Sequence, residues 1–257
     1  MKIAICLYGQ LRDYKRGYEC INKFMELNRE HTFDFFFHAW IDDNITYECA
    51  KWRWIDPRSL CIGNQNEVKK EILDFYKPLA YLYEKPLDKT SEYVVDHINR
   101  IRESLAYSKG TQGMKDNIFN VFSQICTRSR VKDLFEDYIT KTNTKYDLVI
   151  STRFDGHEFP NNFIIPNIDK TKSIYAYLSG TKHYLMIDFF LMFPPETYVK
   201  ICNLYENIEH IINNKDLDIK LTNLNEIMSF NAEEYLLANY LFCGYSVDDI
   251  VYMKWIA

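Results

Sequence analysis

The 257-residue chain lacks the surplus of positive charge that a nucleic-acid surface requires: its net charge is −5 at pH 7. Neutralising phosphates along a duplex takes clustered lysine and arginine, so no nucleic-acid partner is expected. There is no Cys-x-x-Cys pair. The seven cysteines, at 6, 20, 49, 61, 126, 202 and 243, are odd in number and scattered. They read as free thiols of a reducing compartment, not as a disulfide framework or a zinc site, and a cytoplasmic protein is expected. No stretch approaches the roughly 20 apolar residues of a membrane-spanning helix. The opening MKIAICLYGQLR has no extended apolar core and no cleavage signature, so it reads as a strand and not as a signal peptide. Gly-x-Gly-x-x-Gly and P-loop motifs are missing, which argues against the common NAD and ATP sites and against a small Rossmann-like nucleotidyl or methyl transferase. Internal repeats and low-complexity tracts are also absent.

What is present suits one large α/β domain over 1–257. Hydrophobic residues make up 47% and charged residues 26%, enough apolar surface for a full core. The 20 Tyr and 17 Phe supply partly polar contact surface of the kind used to stack on sugars or bases.

Apolar periodicity predicts the elements. Lys2–Leu7 reads as a buried strand broken by Tyr8-Gly9-Gln10. A helix over 14–28 follows, with Asp13 placed to cap it, and then a strand over Phe33–Trp40. Strand, helix and strand in some 40 residues make a βαβ unit and call for a parallel sheet. Residues 41–65 read as irregular. Helix Glu67–Tyr76, strand Leu79–Tyr83, loop Lys85–Thr90, helix Ser91–Tyr107 and the long helix Asn117–Tyr138 lead to a strand at 146–152. Beyond it, apolar runs at 162–165, 173–178 and 184–193 read as strands without intervening helices. A helix near 196–212, a polar insertion at Asn213–Asn225, a helix over 232–242 capped by Asn231 or Ser229, and a closing strand within Val247–Trp255 complete the chain. The expected fold is α/β, with a central, mostly parallel but mixed sheet flanked by helices.

The most informative stretch is TKYDLVISTRFDGH at 144–157. A buried strand that ends in charged and small residues is where an α/β fold places its chemistry. Arg153 and Asp155 sit two apart at that end, so Arg153 can hold a phosphate or pair with Asp155. The turn after the first strand, Tyr8, Gly9, Gln10 and Arg12, belongs over the same site. There Gly9 permits close backbone approach, Tyr8 can stack on a base, and Arg12 can reach a diphosphate. His38, in FFFHAW, reads as a hydrogen-bonded core residue, and Trp40 as core by default. Asp188 lies in an otherwise apolar run, where a charge is costly unless used or paired. Glu233 and Glu234 open a helix, where acidic residues are favoured in any case.

Three stretches resemble a group of small GT-A-type glycosyltransferases of bacteria and large DNA viruses. They are Ile3–Arg12, then Asn120–Gln124 running into Lys145–Asp155, and Ile187–Phe193 followed by Ala232–Leu237. The resemblance implies a nucleotide-sugar-binding half (1–156) and an acceptor-binding half (157–257). It also implies a UDP- or GDP-type donor, a glycan acceptor, and a divalent cation, Mn²⁺ or Mg²⁺, held by Asp155 with His157. Asp188, or else Glu233 or Glu234, would take the acceptor proton. One departure is plain: His157 stands where a second carboxylate would complete an Asp-x-Asp. The alternative is a non-catalytic nucleotide- or carbohydrate-binding domain that keeps the fold.

Overall fold

A computed structural model of the protein describes residues 1–42, 64–155, 163–165, 168, 172, 174–177 and 190–253. The first half reads β1 (Lys2–Gln10), α1 (Tyr14–Leu27), β2 (Thr32–Trp40), α2 (Gln65–Tyr76), β3 (Ala80–Glu84), α3 (Glu92–Arg102), α4 (Leu105–Lys109), α5 (Gln112–Asp116), α6 (Ile118–Thr142) and β4 (Leu148–Arg153). The second half reads β5 (Ile174–Tyr177), β6 (Phe190–Phe193), α7 (Pro195–Ile201), α8 (Ile208–Ile211), α9 (Lys215–Asn223), α10 (Ala232–Phe242) and β7 (Ile250–Met253).

The described strands form one sheet in the order β3-β2-β1-β4-β6-β5-β7. β1 lies parallel to both β2 and β4, and β2 is parallel to β3. β6 runs against β4 and β5, and β7 is parallel to β5. The expected α/β class, with a mixed sheet among helices, is therefore the one observed. From β1 the chain builds β2 and β3 outward on one side, while β4 lies on the other. Such a reversal opens a crevice at the carboxyl ends of the two central strands. In register, Tyr8 lies level with His38 on one side and Arg153 on the other.

The central strand β1 is buried on both faces, as central parallel strands usually are. Ala4, Cys6 and Tyr8 face a core shared with α6, α7 and α10. Ile3, Ile5 and Leu7 face a second core with Ile21 and Phe24 of α1 and Val68 and Ile72 of α2. This is the period-2 alternation of a strand, with apolar residues on both sides.

Several expectations change in detail. β1 continues through the Tyr8-Gly9-Gln10 break, because Gly9 takes a positive φ of 106° and the pairing survives it. Asp13 stands at the start of α1 in a left-handed conformation and makes no capping bond with its side chain. The helix expected over Ser91–Tyr107 is split where Ser104 caps α4. The one expected over 196–212 is interrupted between α7 and α8. The polar insertion at 213–225 contains α9, which Asn214 caps at 2.9 Å and which Leu217 and Leu221 fasten to the core. Residues 163–165 are not a strand. Instead the buried Asn28 amide ties them down, donating to Phe163 O and accepting from Ile165 N, each at 2.8 Å.

Candidate active site

A cleft of about 300 Å³ opens at the carboxyl ends of β1, β2 and β4. Tyr8, Gly9, Gln10 and Arg12 line it from β1 and the turn after it, Trp40 from β2, Arg153 from the end of β4 and Asp155 from the turn that follows. The first turns of α6 form a wall of Asn117, Phe119, Asn120, Val121, Ser123, Gln124 and Thr127, with Pro86 beside it. The structure therefore brings together the two segments, far apart in sequence, that the residue pattern singled out.

Strand alternation explains how β4 delivers its pair. Phe154 turns inward, fully buried, with its ring edge-on to Phe37 at 5.5 Å. Arg153 and Asp155 consequently point the other way, into the cleft. The Arg153 guanidinium donates to the Asp155 carboxylate, forming an ion pair. On the β1 side Arg12 Nε donates to Gln10 Oε1 at 2.7 Å. Among the described residues Asp155 is the one carboxylate lining the cleft, and no cluster of three or more His, Cys, Asp or Glu side chains forms. His157 and Asp188 lie outside the described residues.

One assignment changes. Tyr8 is only 1% exposed, and the Arg128 guanidinium covers its ring at 4.6 Å while Nη2 donates to its hydroxyl at 2.6 Å. A ring so enclosed offers no face to a base, so Tyr8 supports the cleft floor and does not stack. Arg128, itself buried in α6, was not singled out from the sequence. Its signal was available: it falls on the stripe Val121, Ile125, Arg128, Val131 and Phe135, where a charge breaks an apolar face. Glu233 and Glu234 open α10 as expected, yet neither is among the described lining residues. Glu234 is buried and accepts from Ser229 Oγ at 2.5 Å.

Beneath the cleft lies a chain of buried hydrogen bonds. Gly9 N–H donates to Thr127 Oγ1 at 3.1 Å. Thr127 Oγ1 lies 2.6 Å from His38 Nδ1 and 3.4 Å from His38 O. The Glu84 carboxylate can only accept, so in the neutral ring the proton sits on Nε2 and donates to Glu84 Oε2 at 2.9 Å, which leaves Nδ1 to accept from the Thr127 hydroxyl. His38 is thus a core residue with both nitrogens in use, and Trp40 packs edge-on against it at 4.5 Å.

Burial pushes the His38 imidazole down from 6.5 to about 4, against the upward pull of Glu84. The unfolded chain then binds this proton near pH 6.5 and the folded chain only near 4. The stabilisation is complete above pH 6.5 and is lost as pH falls through 4, an effect of roughly 3 kcal/mol. His38→Gln should remove this component from the pH dependence of the melting temperature between 6.5 and 4. Parallel curves for the two proteins would refute it.

No protein-family model and no curated protein matches the chain. Among solved structures, that of an active-site mutant of LgtC, a bacterial GT-A glycosyltransferase, aligns with 98% of this chain and 72% of its own at 10% identity and a TM-score of 0.37. The likeness is distant. The chemistry has to be read from the cleft. It offers two guanidiniums and a carboxylate, neutral amides along α6, and apolar surface from Phe119 and Pro86. That combination suits a ligand with an anionic segment flanked by hydrogen-bonding rings. Among the described residues no helix is long and apolar enough to cross a membrane.

Proposed function

We propose that the protein is a glycosyltransferase that moves a sugar from a nucleotide-sugar donor to a hydroxyl of a glycan acceptor. The observation that carries this reading is the meeting of Arg12, Arg153 and Asp155 at the carboxyl ends of β1 and β4, in a cleft walled by amides and aromatic rings. In the reaction, the acceptor oxygen bonds to the anomeric carbon as the bond from that carbon to the diphosphate oxygen breaks. The electron pair leaves on the diphosphate, and the hydroxyl proton passes to a carboxylate. Arg12 and Arg153 would stabilise the growing charge on the leaving group, since a guanidinium fork matches phosphate oxygens. Asp188 is the candidate for the base; Glu233 and Glu234, named beside it from the sequence, are not among the described lining residues.

A divalent cation, Mn²⁺ or Mg²⁺, fits this donor set. Such ions are commonly held by one or two carboxylates together with substrate phosphate oxygens and water. Asp155 would be the protein ligand, with His157 as the second candidate, and the ion would add positive charge beside the leaving diphosphate.

One observation favours the rival reading of a non-catalytic binding domain: Asp155 is already engaged by Arg153, and no second described carboxylate lines the cleft. A thermal-shift screen of UDP-, GDP-, dTDP- and CMP-sugars, followed by a donor-hydrolysis assay with Mn²⁺ or EDTA, separates the two. A donor at a hundred times its dissociation constant should add about 2.7 kcal/mol of stability. Binding with turnover supports the transferase, and binding without turnover supports the rival. Indifference to all four donors would overturn both nucleotide readings.

A further inference from the structure

Thr127 lies inside α6, fully buried, at the base of the cleft. A helical threonine commonly turns its hydroxyl back to the carbonyl one turn earlier. Here the hydroxyl points outward from its helix, to Gly9 of β1 and His38 of β2. Gly9 needs such a partner. Its φ of 106° departs from strand geometry although its pairing with Ala39 persists, the space a Cβ would fill is open, and it is the hydrogen bond to its N–H that meets it from the α6 side. The turn leads directly to Gln10, which tethers Arg12 at 2.7 Å. The threonine rotamer is in turn fixed from behind, by His38 held on Glu84. Arg130 also approaches Glu84, at 3.3 Å.

We infer that Thr127 is a positioning residue for the donor diphosphate: its hydroxyl sets the Gly9 turn, and through that turn the reach of Arg12 into the cleft. The inference rests on the glycosyltransferase reading. It concerns a residue that touches no reacting atom and acts on the diphosphate end of the ligand alone. A purely structural role would loosen the whole cleft, whereas this role selects one part of the ligand.

The test uses the full chain titrated calorimetrically with UDP and GDP, the tighter being carried forward together with its nucleoside as a control. Thr127→Val keeps the shape and removes the hydroxyl. It should weaken the nucleoside diphosphate about tenfold, leave the nucleoside unchanged, and lower the donor kcat/KM about tenfold or more with part of the loss in kcat, since RT ln 10 is about 1.4 kcal/mol, the size of one hydrogen bond. Thr127→Ser, which retains the hydroxyl, should restore binding. Thr127→Ala, a good helix former, gives the same readout should the valine fail to fold. Equal losses for nucleoside and nucleoside diphosphate, or unchanged affinity in the valine and alanine variants, would overturn the positioning role and leave the glycosyltransferase reading standing. A wild-type protein that binds neither UDP nor GDP would overturn the role together with that reading.

Discussion

Replacing Asp155 with alanine should cut sugar transfer by about 10²–10³-fold, the usual cost of removing one group aimed at developing charge. The fold should hardly register the change. The Asp155 side chain is 18% exposed and Arg153 34%, and an ion pair at such a rim contributes roughly 0–1 kcal/mol. The melting temperature should therefore move by a few degrees at most, since 1 kcal/mol corresponds to ~2–4 °C in a chain of this size. Initial rates of transfer and a calorimetric scan on the same preparation decide the matter. Transfer at the wild-type rate would take Asp155 out of the mechanism. A second arm concerns the ion. If EDTA and added Mn²⁺ leave the wild-type rate unchanged while Asp155→Ala is inactive, the carboxylate acts through Arg153 and holds no metal. Arg153→Ala should then be the variant that loses the diphosphate.

The second large effect is expected where a helix backbone meets the end of β4. Gly17 lies buried in α1, where a Cβ would sit 1.8 Å from the Phe154 carbonyl oxygen and 3.1 Å from the carbonyl carbon of Asp155. Those are backbone atoms, and no rotamer change can relieve the overlap. Gly17→Ala must push α1 away from the sheet or push the end of β4 toward the cleft. Its gain in helix propensity, about 1 kcal/mol, is smaller than the usual overpacking cost of 1–3 kcal/mol, which backbone contacts should exceed. A fall in melting temperature of ~5–10 °C is expected, and donor affinity should drop as well because Asp155 is carried along. A variant as stable as wild type, with unchanged donor affinity, would show that the helix and the strand end do not bear on each other in this way.

Much of this was legible in the chain. Period-2 and period-3.6 patterns place β1, α1 and β2, and the βαβ unit they make already implies a parallel sheet and a crevice at its carboxyl ends. The 153–155 pair was legible because both residues stand at the polar end of an apolar strand run, two positions apart. Other features left no local trace. The Thr127–His38 contact joins residues 89 apart, and nothing near either announces the other. Tyr8 looked free to stack because the residue that covers it, Arg128, lies 120 positions away. The helix α9 was hidden because only Leu217 and Leu221 face the core, too few to make a stripe among polar neighbours. The run at 162–165 is apolar enough for a strand, but Asn28 takes two of the backbone groups a neighbouring strand would use.

The order of the strands also bears on how the chain is made. β1 to β4 can pair as soon as residue 153 has emerged, but β5 obtains its outer neighbour only when Ile250–Met253 follow. In the growing chain, one margin of β5 stays unpaired while α7, α8, α9 and α10 are synthesised ahead of β7. An open strand margin recruits other chains. The strands that carry Arg12 and Arg153 can therefore pair early, but one face of their core waits for α7 and α10, and the far side of the sheet depends on prompt completion of synthesis.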